Sequence, residues 1–543
     1  ALPAELRTPD TERNQALAQV RYGAVLRIQN KFDEARKVLA VAISSLDALR
    51  ARGDTSEAAA IGLALGLIAQ SRAVDSGGQD RDTLPPAERA VAVLAPTANA
   101  NDASVALRRA YGAALTQLGY VQTRQNQDEA AAATLQAALA AYRSIDQLRS
   151  DSDAAANFGI ATAWLMEPYI KIDRPAEANR VGEEGLRVTS LVLDREPTNM
   201  LALRSRALIS GALGNVADSE VQPTRRQAAE DSAVRDWALL SRIDPSNMIS
   251  RGNLLTSRGN AAGASWDLGR PREALARYLE SREFAPIAAT SPLVAGPLSY
   301  NLYWAAYVAA ALGETGAPDK YLADSLRYFE IAIRDVPQAS FEYRYWRAFV
   351  SAGSVEVATA LGDLGRARAS AKGLRERLLQ LQPANDYDRQ RIAELLRRLH
   401  LALGLAELQS GDYAAAQENF SRVAEARKGI LTRALNQRRE AADDAALLAI
   451  TLARAGRMDE ARALAEPALA LQRELHARKT DDQWHKWSLA LALVAAAEST
   501  PAKAGALLAE SQAALDSLPA EARGLRNSQI VQKLIADARR ATH

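Results

Sequence analysis

LHLALGLAELQSGDYAAAQENF, residues 399–420, contains two apolar stretches of helical period separated by Gly411 and Asp412. Leu403 and Gly404 lie near the middle of the first stretch. Tyr413, Ala416 and Phe420 recur at spacings of three and four on the second. Small residues at Gly404 and Ala416 let two antiparallel helices approach closely. Gly411 closes the tight turn between them, because glycine takes a positive φ without the clash that a Cβ brings. The stretch predicts an αα-hairpin.

The same grammar recurs along the chain. Gly23 is followed by a turn at Asn30 and then by Phe32, Ala35, Leu39 and Ala42. "DLGRPREALARYLESREFAP", residues 267–286, repeats it, with Pro271 suited to a first helical turn and Pro286 placed to stop the helix. "RAGRMDEARALAEPAL", residues 454–469, repeats it again, and weaker copies turn at Gln125, Asp173, Gly214, Gly313, Gly365 and Ser499. Second helices end alike at Pro197, Pro245, Pro286, Pro337 and Pro383, spaced 48, 41, 51 and 46 residues apart. Internal repetition at such a period is the mark of a solenoid.

Composition agrees. The 543 residues are 48% hydrophobic but only 5% aromatic, with Ala and Leu dominant, a mixture that favours helix over strand. The 67 basic and 65 acidic residues alternate in sign along the helices, which argues against a nucleic-acid partner held by bulk electrostatics. There is no cysteine, hence no disulfide frame, thiol nucleophile or cysteine-type zinc site. No apolar run is expected to reach the roughly 18 residues of a membrane helix, Trp487 to Ala497 being the best candidate. Opening at "ALPAE", the chain reads either as a mature exported chain or as a piece of a longer one. The compartment, cytoplasm or periplasm, stays open at this level.

Through Leu403, Gly404, Gly411, Tyr413, Ala416 and Phe420, with partial sets elsewhere, the chain resembles the tetratricopeptide repeat family. The resemblance implies an all-α fold, an α-solenoid of stacked antiparallel helical hairpins wound as a right-handed superhelix. A standard unit of that family is about 34 residues, and the longer spacings here predict an irregular array, with extra helical turns and loop insertions, notably around Asp218 to Gln227 and Glu314 to Asp319. "APIAATSPLVAGPLSYN", residues 285–301, is the strongest break. It divides the expected array into an N-terminal lobe over 1–285, a Pro-rich connection over 286–300 and a C-terminal lobe over 301–543. "VDSGGQDRDTLPP", residues 74–86, reads as a lesser loop.

Signatures of catalysis are missing from the sequence. It contains no phosphate loop, dinucleotide fingerprint, nucleophile elbow or His-Glu-x-x-His helix. His400, His476, His485 and His543 are its only histidines, which leaves few groups for acid–base work near neutral pH. Asp481 and His485, four apart with His476 nearby, are better explained as a hairpin surface than as a metal site. No cofactor or metal is expected, and no enzymatic activity.

Twelve of the 29 aromatic residues fall within residues 300–349. Tyr300, Tyr303, Trp304 and Tyr307 follow i, i+3, i+4, i+7 and share one helix face. Such a stripe packs a core or presents a contact surface. If Gly313 is the turn equivalent to Gly411, Tyr300, Tyr303 and Tyr307 occupy positions two, five and nine of their repeat. The resemblance implies that those positions line a concave groove, where Tyr and Trp would suit a peptide or protein ligand. Asn253, Arg258 and Asn260 form a second candidate face. Leu17, Val20 and Ala24 occupy the first repeat's groove positions and cannot grip a terminal carboxylate. The expected function is therefore a non-catalytic protein- or peptide-binding scaffold. The alternative is the sensory or oligomerising region of a larger bacterial signalling protein, in which the chain would self-associate as a homodimer and a kinase or DNA-binding module would precede it.

Overall fold

A computed structural model of the chain describes residues 8–29, 31–76, 83–98, 100, 102–146, 148–383, 385–430, 432–478 and 481–542. The expected turn at Asn30, the "ALPAE" start, the middle of the 74–86 loop and His543 lie outside them. Helices joined by short turns make up the described residues, with no strand among them. The protein is an α-solenoid of stacked antiparallel helical hairpins.

The hairpin read from residues 399–420 forms as its local chemistry requires. Its first helix, Asp386–Ser410, begins where the Asn385 side chain accepts from the Asp388 amide at 2.8 Å. It ends at Gly411 in the left-handed region, φ 86°, and the Asp412 amide reaches back to the Glu407 carbonyl at 3.0 Å. Asp412 then caps the second helix, Tyr413–Arg427, by accepting from the Ala415 amide at 3.0 Å. Between the helices Phe420 is fully buried against Gly404, where a Cβ would fall 2.5 Å from its Cε1. Gly23 meets Leu39, and Gly119 meets Leu135, with the same offset along the chain and equally close approaches. One packing rule is thus repeated through the array.

Turns at Gln125–Asn126, Asp173, Gly269, Gly313, Gly411 and Gly456 fall where the sequence predicts them. Two do not. Gly214 lies inside the helix Met200–Ser219, and the chain reverses instead at Val221, φ 60°. Gly365 lies inside Leu364–Ala371, and Gly362, φ 76°, makes the turn. In both places a turn-forming residue sits a few positions from the helix end, and packing chose the end. Of the extra helical turns and loop insertion expected around Asp218–Gln227, the helical turns are what is found: Pro223 opens a 21-residue helix. Pro286 starts the short helix Ala285–Ala288 rather than stopping one.

The Pro-rich connection expected over 286–300 is helical for much of its length. Pro292 occupies the first turn of Pro292–Ala311, where its missing N–H costs nothing, and Pro297 in the next turn forgoes one backbone bond. Val294, Ala295, Leu298 and Leu302 bury themselves along that helix, and their burial offsets the local preference against it. The chain separates into one compact unit of Ala1–Val216 with Ser232–Leu254 and another of Ala217–Asp231 with Leu255–His543. Within each unit, the first helices of several successive hairpins also pack on one another, as Phe341–Leu361 does on Pro292–Ala311 and on Asp386–Ser410.

The window Glu57–Val74 is long and apolar enough to cross a membrane, which the sequence reading missed. It is 67% buried by its neighbours, as a core helix of a solenoid is.

Candidate functional site: an aromatic seam

Two aromatic stripes on neighbouring first helices merge in the second unit. Phe341, Tyr345, Trp346 and Phe349 lie at i, i+4, i+5, i+8 on Phe341–Leu361. Tyr300, Tyr303, Trp304 and Tyr307 lie on Pro292–Ala311. The stripes meet where the Tyr300 and Phe349 rings stack at 6.5 Å between centroids. Trp346 stands edge-on to Phe349 at 5.4 Å, and Trp304 to Tyr300 at 6.2 Å. Contacts continue through Tyr307 to Trp266 at 5.8 Å and from Trp266 to Trp484 at 5.0 Å. Tyr300 is 45% exposed and Trp346 39%, so two rings of the seam face solvent with Phe349 between them.

Beneath the exposed rings lies a charged brace. Arg398, from Asp386–Ser410, sits 4.6 Å from the Phe349 ring and binds Glu356 through two hydrogen bonds of 2.8 and 2.7 Å. The Tyr303 hydroxyl donates to the same carboxylate and receives Arg398 Nη2 at 3.2 Å. Burial and the Glu356 charge push the Tyr303 hydroxyl far above its usual range. Arg391 braces the other end, 3.9 Å from the Tyr345 ring and held by Glu342 at 2.6 and 2.9 Å.

The four predicted aromatic residues therefore divide. Tyr300 is presented to solvent, while Trp304 and Tyr307 are half-buried, the Tyr307 hydroxyl taking a bond from Asn527 at 3.3 Å. Tyr303 belongs to the core at 6% exposure, with its ring filling the space that Gly353 leaves. The sequence reading passed over Trp346 and Phe349, although their stripe was visible at helical spacing. No spacing rule could bring Trp266 to Trp484.

Asn253, Arg258 and Asn260 do not converge. Two residues along a helix turn about 200°, so Arg258 and Asn260 point to opposite sides. Arg258 pairs with Glu283 and covers Phe284, whereas Asn260 donates to Glu230 at 3.0 Å. Asn253 is half-buried and belongs to the first unit, Arg258 and Asn260 to the second. In the other weighed cluster, His485 is buried with Nδ1 on the Asp482 carbonyl, and burial holds its imidazole down to about 4. Asp481 instead accepts from the Thr224 amide at 3.3 Å.

Glu230, which the sequence reading did not single out, is fully buried, and one of its oxygens has no partner among the described residues. Burial raises its carboxyl to about 7, against the pull of Asn260 and Arg226. The native state therefore keeps a proton that the unfolded state releases near 4.5, and stability falls as pH rises from about 4.5 to about 7, then levels. Glu230→Gln is expected to remove this component. Its effect on unfolding free energy should differ between pH 5 and pH 8 by on the order of 2 kcal/mol, favouring the variant at pH 8. Urea melts of both proteins at the two pH values measure that difference, and equal effects would place the carboxyl in water.

No protein-family model matches the chain, and no curated protein matches it. Three solved structures illustrate its distant likenesses. The Rap protein complexed with competence and sporulation factor is 12% identical, with TM-score 0.41, over 77% of this chain and 98% of that one. A monomeric mutant of IFIT1 with Gppp-AAAA is 15% identical, with TM-score 0.39, over 85% and 94%. Yeast Tom70 is 13% identical, with TM-score 0.32, over 97% and 96%. At these scores the likenesses bring neither a ligand nor a site to this chain.

Proposed function

We propose that this protein is a non-catalytic scaffold that binds a peptide or an extended segment of another protein across Tyr300, Phe349 and Trp346. The carrying observation is the pair of solvent-facing rings on adjacent helices, joined by a third ring and held from below by the Arg398–Glu356 brace. Aromatic side chains held rigidly offer large contact area at little entropic cost, as binding hot spots do. Arg398 and Arg391 are each neutralised by a glutamate, so the seam lacks the surplus positive charge that a phosphate backbone demands.

The test is selection of binding peptides from a random display library on the intact chain, followed by titration calorimetry with a selected peptide. Tyr300→Ala with Trp346→Ala is expected to weaken binding at least about 100-fold, since hot-spot truncations cost about 2 kcal/mol or more each. Both rings are more than half covered by neighbours, so the double variant should melt somewhat earlier, and binding is compared at a temperature where both proteins are folded. Undiminished affinity in the double variant refutes the site. Tighter binding of single-stranded poly(U) than of any selected peptide refutes the class of ligand.

A further inference from the structure

A second site lies on the opposite face of the same helix, Phe341–Leu361. At about 100° per residue, Arg344, Arg347 and Ser351 leave the helix on the side turned away from Trp346 and Phe349, with Tyr343 between the two faces. The second helix of this hairpin is broken, and the break opens a pocket beside them. Leu364–Ala371 stops, Lys372 takes φ −56°, ψ 122°, Gly373 takes φ 68°, ψ 1°, and Leu374–Leu379 begins. These angles are those of a type II turn, whose third position requires the positive φ that glycine accepts. The break sets Arg377, Gln380 and Leu381 against the first helix around a cavity of about 500 Å³.

Its floor is apolar, with Ala348 and Leu381 buried, and its rim is basic. Three arginines line it, and no carboxylate does. Arg347 is partly engaged, with Nη1 bonded to Glu330 at 2.9 and 3.1 Å and to the Tyr343 hydroxyl at 3.2 Å. Arg344 makes one long bond, from Nε to the Ser340 carbonyl at 3.4 Å. Arg377 folds back over Gly373 and makes no ion pair among the described residues. The less exposed Arg391, Arg397, Arg398 and Arg454 of this unit each sit on a carboxylate, as Arg344 and Arg377 on their more open rim do not. A concave site with three guanidinium groups and a single opposing glutamate holds uncompensated positive charge that a planar-donor fork can place on an oxyanion.

We propose that this pocket binds a phosphate-bearing anion, with Arg344 and Arg377 as its principal donors and Arg347 as a third. The phosphate is either that of a small phosphorylated metabolite or that of a phosphorylated side chain in a peptide; the chemistry of recognition is shared.

Calorimetry on the full chain at fixed ionic strength tests this with inorganic phosphate, pyrophosphate and a phosphoserine peptide, against the unphosphorylated peptide. Binding of phosphate or pyrophosphate at one site per chain is expected, weakened on the order of tenfold by each of Arg344→Gln and Arg377→Gln. A phosphoserine peptide that binds at least tenfold tighter than free phosphate assigns the pocket to phosphorylated proteins, and equal or weaker binding assigns it to small anions. Both arginines are exposed, so the variants should melt as the unaltered chain does. The proposal is overturned if no phosphate compound binds at about 10 mM, well above ordinary cellular affinities, or if the double variant binds as well as the parent. Tyr300→Ala with Trp346→Ala should leave this binding intact, which separates the pocket from the seam.

Discussion

Arg397→Ala is expected to lower the unfolding free energy by roughly 3–5 kcal/mol, the cost of breaking a buried ion cluster from one side. The Arg397 side chain is 8% exposed and faces Glu394 at 2.7 Å, Asp444 at 3.3 Å and Glu440 at 3.4 Å. Without it, the buried Asp444 keeps Arg427 at 2.5 Å as its cation, while Glu440 keeps the pull of Arg439 and Arg427. Burial already holds the Asp444 carboxyl above its ordinary value in spite of both guanidinium groups. Losing one of them raises it further. The folded variant then binds protons that its unfolded chain does not, so its stability falls more steeply as pH rises through the raised value. The loss should accordingly be larger at pH 8 than at pH 5, and urea melts at the two pH values measure it. Arg397→Met with Asp444→Leu should lose less than the two single changes summed, because the cluster's desolvation cost disappears with its charges. A loss under about 1 kcal/mol for Arg397→Ala at pH 8 would mean that the guanidinium is solvated like a surface ion pair.

The second large effect concerns the signature hairpin. Phe420→Ala removes a fully buried ring and is expected to cost about 3–5 kcal/mol. Gly404→Ala has opposing terms. Alanine is worth about 1 kcal/mol over glycine inside a helix, but its Cβ would fall within 3 Å of three Phe420 ring atoms. The enclosed ring cannot withdraw, and overpacking of this kind costs about 1–3 kcal/mol. The clash wins, and Gly404→Ala is expected to destabilise. In the Phe420→Ala background the obstruction is gone, and the same substitution should stabilise. Chemical denaturation of the four proteins of this cycle gives the sign directly. Destabilisation by Gly404→Ala in both backgrounds would show that something other than the ring excludes the methyl group.

What could be read from the sequence is what depends on neighbours along the chain. Gly411 with Asp412, and Gly404 with Phe420, write a whole hairpin in 22 residues, and their copies announced an all-α solenoid. The Tyr300–Tyr307 stripe was visible for the same reason, since helical period alone puts those rings on one face. Local rules failed where tertiary burial outweighed them. Pro292 and Pro297 look like a break, yet the apolar residues around them gain more from burial than the chain loses in one backbone bond.

Only the tertiary structure decided which side chains of a stripe are exposed. Tyr303 is filled in by Gly353 and Glu356 from the next hairpin, whereas Tyr300 meets Phe349 and stays open on one side. Arg398 reaches Glu356 and Tyr303 from 42 and 95 residues away, and the buried Glu230 takes its bond from Asn260, 30 residues on. A helix dictates the direction in which each of its side chains leaves. What that side chain meets depends on the helix packed beside it, and so exposure, charge pairing and proton affinity belong to the assembled array.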